Sequence, residues 1–104
     1  MAIDQTIDTK LMAQRYADAV REMPTALDLY YQQYRGVAEF WLVTSPIDVQ
    51  TQMEFYGASR LLYDQFPEVP IDFHIINPAH YVPFDLSTIL PKGVSRIVVH
   101  PHGE

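Results

Sequence analysis

The residues with the most chemical potential in this sequence are Asp72, His74, His80 and Tyr81. Asp72 and His74 stand two apart in an apolar stretch with strand character, Ile71-Asp72-Phe73-His74-Ile75-Ile76, so their side chains leave the same face. A carboxylate beside an imidazole can orient the ring as a general base, and with His80 the set holds enough donors for a divalent metal. No fixed-spacing motif such as H-E-x-x-H supports a metal, so the reading is an Asp–His pair with His80 and Tyr81 as candidate ligand-binding groups and no metal or other cofactor. His100 and His102 form an H-x-H pair, but Pro101 between them cannot donate to a sheet ladder. Thr44-Ser45 precedes a helical stretch, where backbone N–H groups attract anions. No glycine opens room for a phosphate there, and Asp48 puts a carboxylate at the same helix end. Nucleotide-binding glycine loops and the G-x-S-x-G nucleophile turn are absent, so no catalytic residue is assigned.

A second group of residues suits contact rather than catalysis. Tyr30, Tyr31 and Tyr34 cluster before Gly36, with Trp41 and Val43 close behind and Val98 in the last apolar run. Tyr and Trp are favoured where a surface is partly dry and partly wet, as at an interface. Tyr31, Trp41, Val43 and Val98 are the candidate interface residues.

The elements that must carry these groups follow from periodicity. Met12, Tyr16, Ala19, Val20 and Met23 recur on one face of a 3.6-residue period, predicting a helix over 8–22 stopped by Pro24. Residues 26–44 read two ways. Alternation of Leu27, Leu29 and Tyr31 with Asp28, Tyr30 and Gln32 suits a strand turning at Arg35-Gly36 into a second strand, 37–44. The rival is a short helix over 25–34 with Gly36 as its stop. The hairpin is favoured because it gives a more complete sheet. Ser45-Pro46-Ile47-Asp48 fits a capping box with Ser45 as N-cap, opening a helix to about residue 66. That helix is apolar on two sides: Val49, Met53, Tyr56 and Tyr63 on one, Phe55, Ala58, Leu62 and Phe66 on the other. Gly57 inside it suggests close approach of another backbone. A strand follows over 71–76, then a long connection with one helical turn after Asp85, then a strand over 94–100.

The expected fold is therefore an α+β two-layer sandwich in α-β-β-α-β-β order, a circular permutation of the ferredoxin-like β-α-β-β-α-β arrangement, with one sheet face open. The alternative is α-α-β-α-β-β with a three-stranded sheet. At 104 residues and 48% hydrophobic, the chain is expected to be one domain, 1–104, with material for a core.

Composition narrows the partners. Net charge is −6, from seven basic and thirteen acidic residues, and the basic ones are scattered singly. Nucleic acid and anionic membrane need clustered Lys and Arg, so neither is an expected partner. With no cysteine, no apolar leader at Met1-Ala2-Ile3-Asp4-Gln5 and no run near the ~20 residues of a membrane span, a cytoplasmic protein is expected. The functional expectation is a non-enzymatic, homo-oligomeric protein-interaction module, most simply a homodimer that meets itself or another protein. The alternative is a small-molecule-binding protein or small enzyme with an aromatic-lined cavity at the dimer interface.

Overall fold

The computed structural model describes residues 7–80 and 85–101. The first helix, α1, spans Thr9–Ala19, and the Asp8 side chain caps it by accepting from the Leu11 N–H at 2.9 Å. Its buried residues are Met12, Ala13, Tyr16 and Ala17; Met12 and Tyr16 lie on the expected face, whereas Ala19 is exposed and Ala13 and Ala17 take the buried side instead. The helix ends three residues before the predicted 22. Ahead of Pro24 the chain tightens into turns, with Met23 N–H bonded to the Val20 carbonyl, and Val20 stays fully buried. At the centre of α1 the Tyr16 hydroxyl donates to the Phe55 carbonyl at 2.9 Å. Burial, with Tyr56 adding to it, pushes this phenol far above its ordinary range.

Residues 26–44 form the hairpin. Strand β1, Ala26–Tyr34, pairs antiparallel with β2, Val37–Thr44, through the two-residue turn Arg35-Gly36. Both turn residues have positive φ, 52° at Arg35 and 81° at Gly36. That is the turn whose twist matches a right-twisted strand pair, and it is why the helical alternative loses. A non-glycine residue in this region carries about 1 kcal/mol of strain or more, which asparagine tolerates better. Arg35→Asn is therefore expected to stabilise the fold by about 0.5 kcal/mol, read as a higher urea midpoint at unchanged slope. The guanidinium lies 5.2 Å from the Tyr34 ring centroid, and an unchanged or lower midpoint would mean that this cation–π contact outweighs the strain.

The helix expected over 45–66 is two helices, α2, Val49–Ala58, and α3, Arg60–Gln65. Between them the Ser59 hydroxyl donates to the Tyr56 carbonyl at 2.6 Å, a side-chain bond of the kind that bends helices. The N-cap is Asp48 rather than Ser45. The Ser45 N–H is committed to the Thr25 carbonyl, extending the hairpin, whereas Asp48 accepts from the Thr51 N–H at 2.8 Å. Hydrogen bonds from the Thr51 backbone and side chain hold the Asp48 carboxyl below the usual carboxylate range.

Strand β3, Ile71–Ile76, pairs parallel with β2, and β4, Ser95–Val98, pairs antiparallel with β1, giving a four-stranded mixed sheet of order β3-β2-β1-β4. Along the chain the order is α-β-β-α-α-β-α-β, with α2 and α3 in the expected second helical place and a further short helix between β3 and β4. The strand order differs from the ferredoxin-like expectation. That arrangement is a split βαβ, with another strand between its parallel pair. Here Phe40 pairs directly with Phe73 and Leu42 with Ile75, so β2, α2–α3 and β3 make an unsplit unit. The short β4, with Ser95 and Arg96 exposed, takes the far edge, leaving the longer and more apolar β1 and β2 at the centre.

The helices cover one face of this sheet, where Leu29, Phe40 and Leu42 of the strands meet Phe55 of α2 and Leu62 of α3, all fully buried. The other face, expected to be open, is partly covered. Asp85 caps a single helical turn, α4, Leu86–Ile89, where a turn was expected in the connection. Leu86, Ile89, Leu90 and Val94 pack over Trp41, Val43 and Ile76. Apolar residues on both sides of β2 thus find partners within the chain, which two layers alone would not have provided.

Candidate functional site

Across the second face runs an ordered set of polar and aromatic groups, half exposed at Arg96 and His74 and buried at Trp41. Strand register places Arg96, Tyr30, Trp41 and His74 side by side across β4, β1, β2 and β3. The Trp41 and His74 rings stack at 5.9 Å between centroids and 18° between planes. His74 Nε2 lies 3.2 Å from Asp72 Oδ1, and both side chains are about half exposed. In the neighbouring row Gln32 donates to Glu39 Oε1 at 2.7 Å, and Glu39 is in register with Asp72. The expected Asp–His pair is therefore formed, held by a strand edge and an indole. It can exchange a proton with solvent or pair with an incoming charged group.

The other candidate residues do not join it. His80 lies beyond the end of β3, exposed, in a 3-10 turn spanning Pro78–His80, and no hydrogen bond or ion pair links it to Asp72 or His74. Tyr81 and His102 lie outside the described residues. Among the described residues no three His, Cys, Asp or Glu side chains are grouped so as to hold a metal ion. His100 Nδ1 is 2.8 Å from the Ala26 carbonyl, a contact that anchors the chain where Val99 and His100 N–H both meet the Leu27 carbonyl. That point is the bulge between Ala26 and Asp28, and it ends β4 at Val98 rather than 100.

The candidate interface residues separate. Tyr31 opposes Phe40 and turns inward with Leu29 to the helix-covered core, so it is not available for contact. Trp41 and Val43 lie on the opposite face but are buried beneath residues 86–94. Of the four, only Val98, on the edge strand, is exposed. Tyrosine and tryptophan suit a covered strand as well as an interface, and residue type alone did not distinguish the two.

Two further sites become visible, one that residue type did not mark and one that the two-sided apolar pattern of residues 49–66 did. Asn77, which the sequence showed only as a strand end, is buried. Its Oδ1 accepts from Ile47 and Ala79 N–H, and its Nδ2 donates to the Ile47 carbonyl and to Gln52 Oε1. One side chain thereby ties the end of β3 to the approach and first turns of α2.

The second is the outer side of α2 and α3. Of the two apolar sides read from the sequence, Phe55 and Leu62 are buried, with Ala58 and Phe66 packed against the core. Val49, Met53, Tyr56 and Tyr63 form the other side, at 65%, 64%, 43% and 48% exposure. Nothing lies within 4 Å of where a Gly57 Cβ would stand, so the close backbone that this glycine suggested is not supplied by the described chain. Tyr56 connects the stripe to the sheet, its ring 6.1 Å from that of Phe73 and nearly perpendicular.

No family model, curated protein or solved structure matches this chain. The functional reading therefore rests on these surfaces alone. No helix among the described residues is long and apolar enough to cross a membrane.

Proposed function

We propose that this protein is a non-enzymatic interaction module that assembles with itself through the outer stripe of α2 and α3. The observation that carries this reading is the exposure of four large apolar side chains on two consecutive helices, Val49, Met53 and Tyr56 at one-face spacing on α2 and Tyr63 on α3. Monomers seldom leave such a group bare, because each apolar Å² kept from water contributes about 25 cal/mol. Gly57, costing about 1 kcal/mol relative to alanine in mid-helix, adds support, since it leaves room for a second helix to approach. An acidic chain with its basic residues scattered fits a protein partner better than nucleic acid or an anionic membrane. A cysteine-free composition suits the cytoplasm.

Met53→Glu tests the reading. The side chain is largely in solvent, so the folded chain should keep its circular dichroism and melting temperature, while sedimentation equilibrium should show the wild-type dimer shifted to monomer. A folded variant with the same assembly state as the wild type would remove the stripe as the contact.

A further inference from the structure

The second edge of the sheet, strand β3, has the form of a self-complementary seam. Among the described residues no strand pairs with its outer side. Its inner side is fixed by the parallel ladder to β2 and by the Ala38 N–H bond to the Pro70 carbonyl. Backbone groups alternate in direction along a strand, so with residue 70 pointing inward the N–H and C=O groups of Ile71, Phe73 and Ile75 point outward. The same five residues read Ile71-Asp72-Phe73-His74-Ile75, apolar, acid, aromatic, base, apolar, and are symmetric about Phe73.

We infer that a second copy of this chain pairs antiparallel with β3 about a two-fold axis at Phe73, joining two four-stranded sheets into one. This rests on the self-association proposed above and specifies its geometry. With Phe73 opposite itself, Ile71 and Ile75 of the two copies also oppose one another, and these are the positions with outward backbone groups. They make the hydrogen-bonded pairs of an antiparallel ladder. Asp72 then falls opposite the partner's His74 in the closer, non-hydrogen-bonded pairs, and His74 opposite the partner's Asp72. A register shift by one residue would leave the outward amides unmatched, and a shift by two would set Asp72 against Ile76 in one direction and against the partner's own Asp72 in the other. Carboxylate–imidazole pairing and backbone direction thus select one register.

The half-exposed Asp72 and His74 already stand together on one copy, His74 steadied by the Trp41 ring. A second copy would double the pair into a row of alternating acid and base across the seam. On the opposite face Phe73 carries the exposed Tyr56 beside it, so the same axis brings the two α2 stripes towards each other over the seam. Edge pairing and helix stripe are then parts of one contact. An isologous arrangement of this kind closes on itself and ends at a dimer.

The test is a charge-complementation experiment on the full chain. In Asp72→Lys/His74→Lys every seam pair becomes Lys against Lys, and in His74→Glu every pair becomes acid against acid. Both positions are about half exposed, so each variant should fold, as checked by circular dichroism and melting. Like charges directly opposite on neighbouring strands are unfavourable, and two such pairs should weaken the homodimer roughly tenfold or more. Mixed in equal amounts, the two variants restore Lys–Glu and Lys–Asp pairs, so native mass spectrometry should show a heterodimer as tight as the wild-type dimer or tighter. Folded variants that each dimerise as the wild type does would overturn the β3 seam while leaving the helix-stripe contact standing, and variants that lose assembly but stay monomeric when mixed would overturn the Asp72–His74 register of the seam. A monomeric wild-type protein would overturn both.

Discussion

Phe40→Ala is expected to cost about 3–5 kcal/mol, most of the stability a domain of this size has. Phe40 is fully buried on a central strand, opposite Tyr31 and in register with Phe73, whose ring centroid lies 6.3 Å away. Truncation opens a cavity between the sheet and the helix layer, where the backbone ladders on both sides prevent collapse. The melting temperature should fall by about 15–30 °C, with a two-state transition retained if the variant folds at all. A loss under about 1 kcal/mol would show that the helices do not pack on this face.

Trp41→Ala is the companion experiment on the next residue, which points to the other face. With that face open to solvent, removing the indole would change stability little. With residues 86–94 packed over Trp41, Val43 and Ile76, the expected cost is about 3 kcal/mol. The effect should also be local. Hydrogen exchange should report lost protection at the Thr88 and Leu90 amides, bonded to the Asp85 and Leu86 carbonyls. The Met12 amide of α1, bonded to the Asp8 carbonyl, should stay protected. Unchanged exchange at Thr88 and Leu90 would mean that α4 holds its place without the indole.

These two residues also show where sequence reasoning reached and where it stopped. Local periodicity was sufficient for α1, because Met12, Tyr16 and Val20 share one face whatever covers it. It also separated the two apolar sides of α2 and α3, though only the fold shows that the side with Phe55 and Leu62 is buried and the side with Met53 and Tyr63 is bare. The hairpin was favoured narrowly, and the φ values of Arg35 and Gly36 supply the physical reason. Strand order was not legible, since the pairing of Trp41 with His74 is a long-range event with no local signature. Nor was the cover on the second face, because four residues of α4 are too few for a helical period to show. Ser45 and Asp48 are both good caps three residues apart, and the choice turned on the Thr25 carbonyl, a tertiary partner.

At the candidate site the period of two placed Asp72 and His74 together correctly, as their 3.2 Å contact shows. Tyr31 lies in the core although its aromatic type suits an interface, because alternation along β1 decides its face. It shares the parity of Leu29, and that parity faces the helices.

The bare stripe of α2 and α3 is proposed to be covered by a second copy of the chain. Native mass spectrometry of the untagged, freshly purified protein at micromolar concentration tests it most directly. The prediction is a dimer as the dominant species, dissociating on dilution to a single monomer charge-state series. A monomer that persists as concentration rises would contradict the claim.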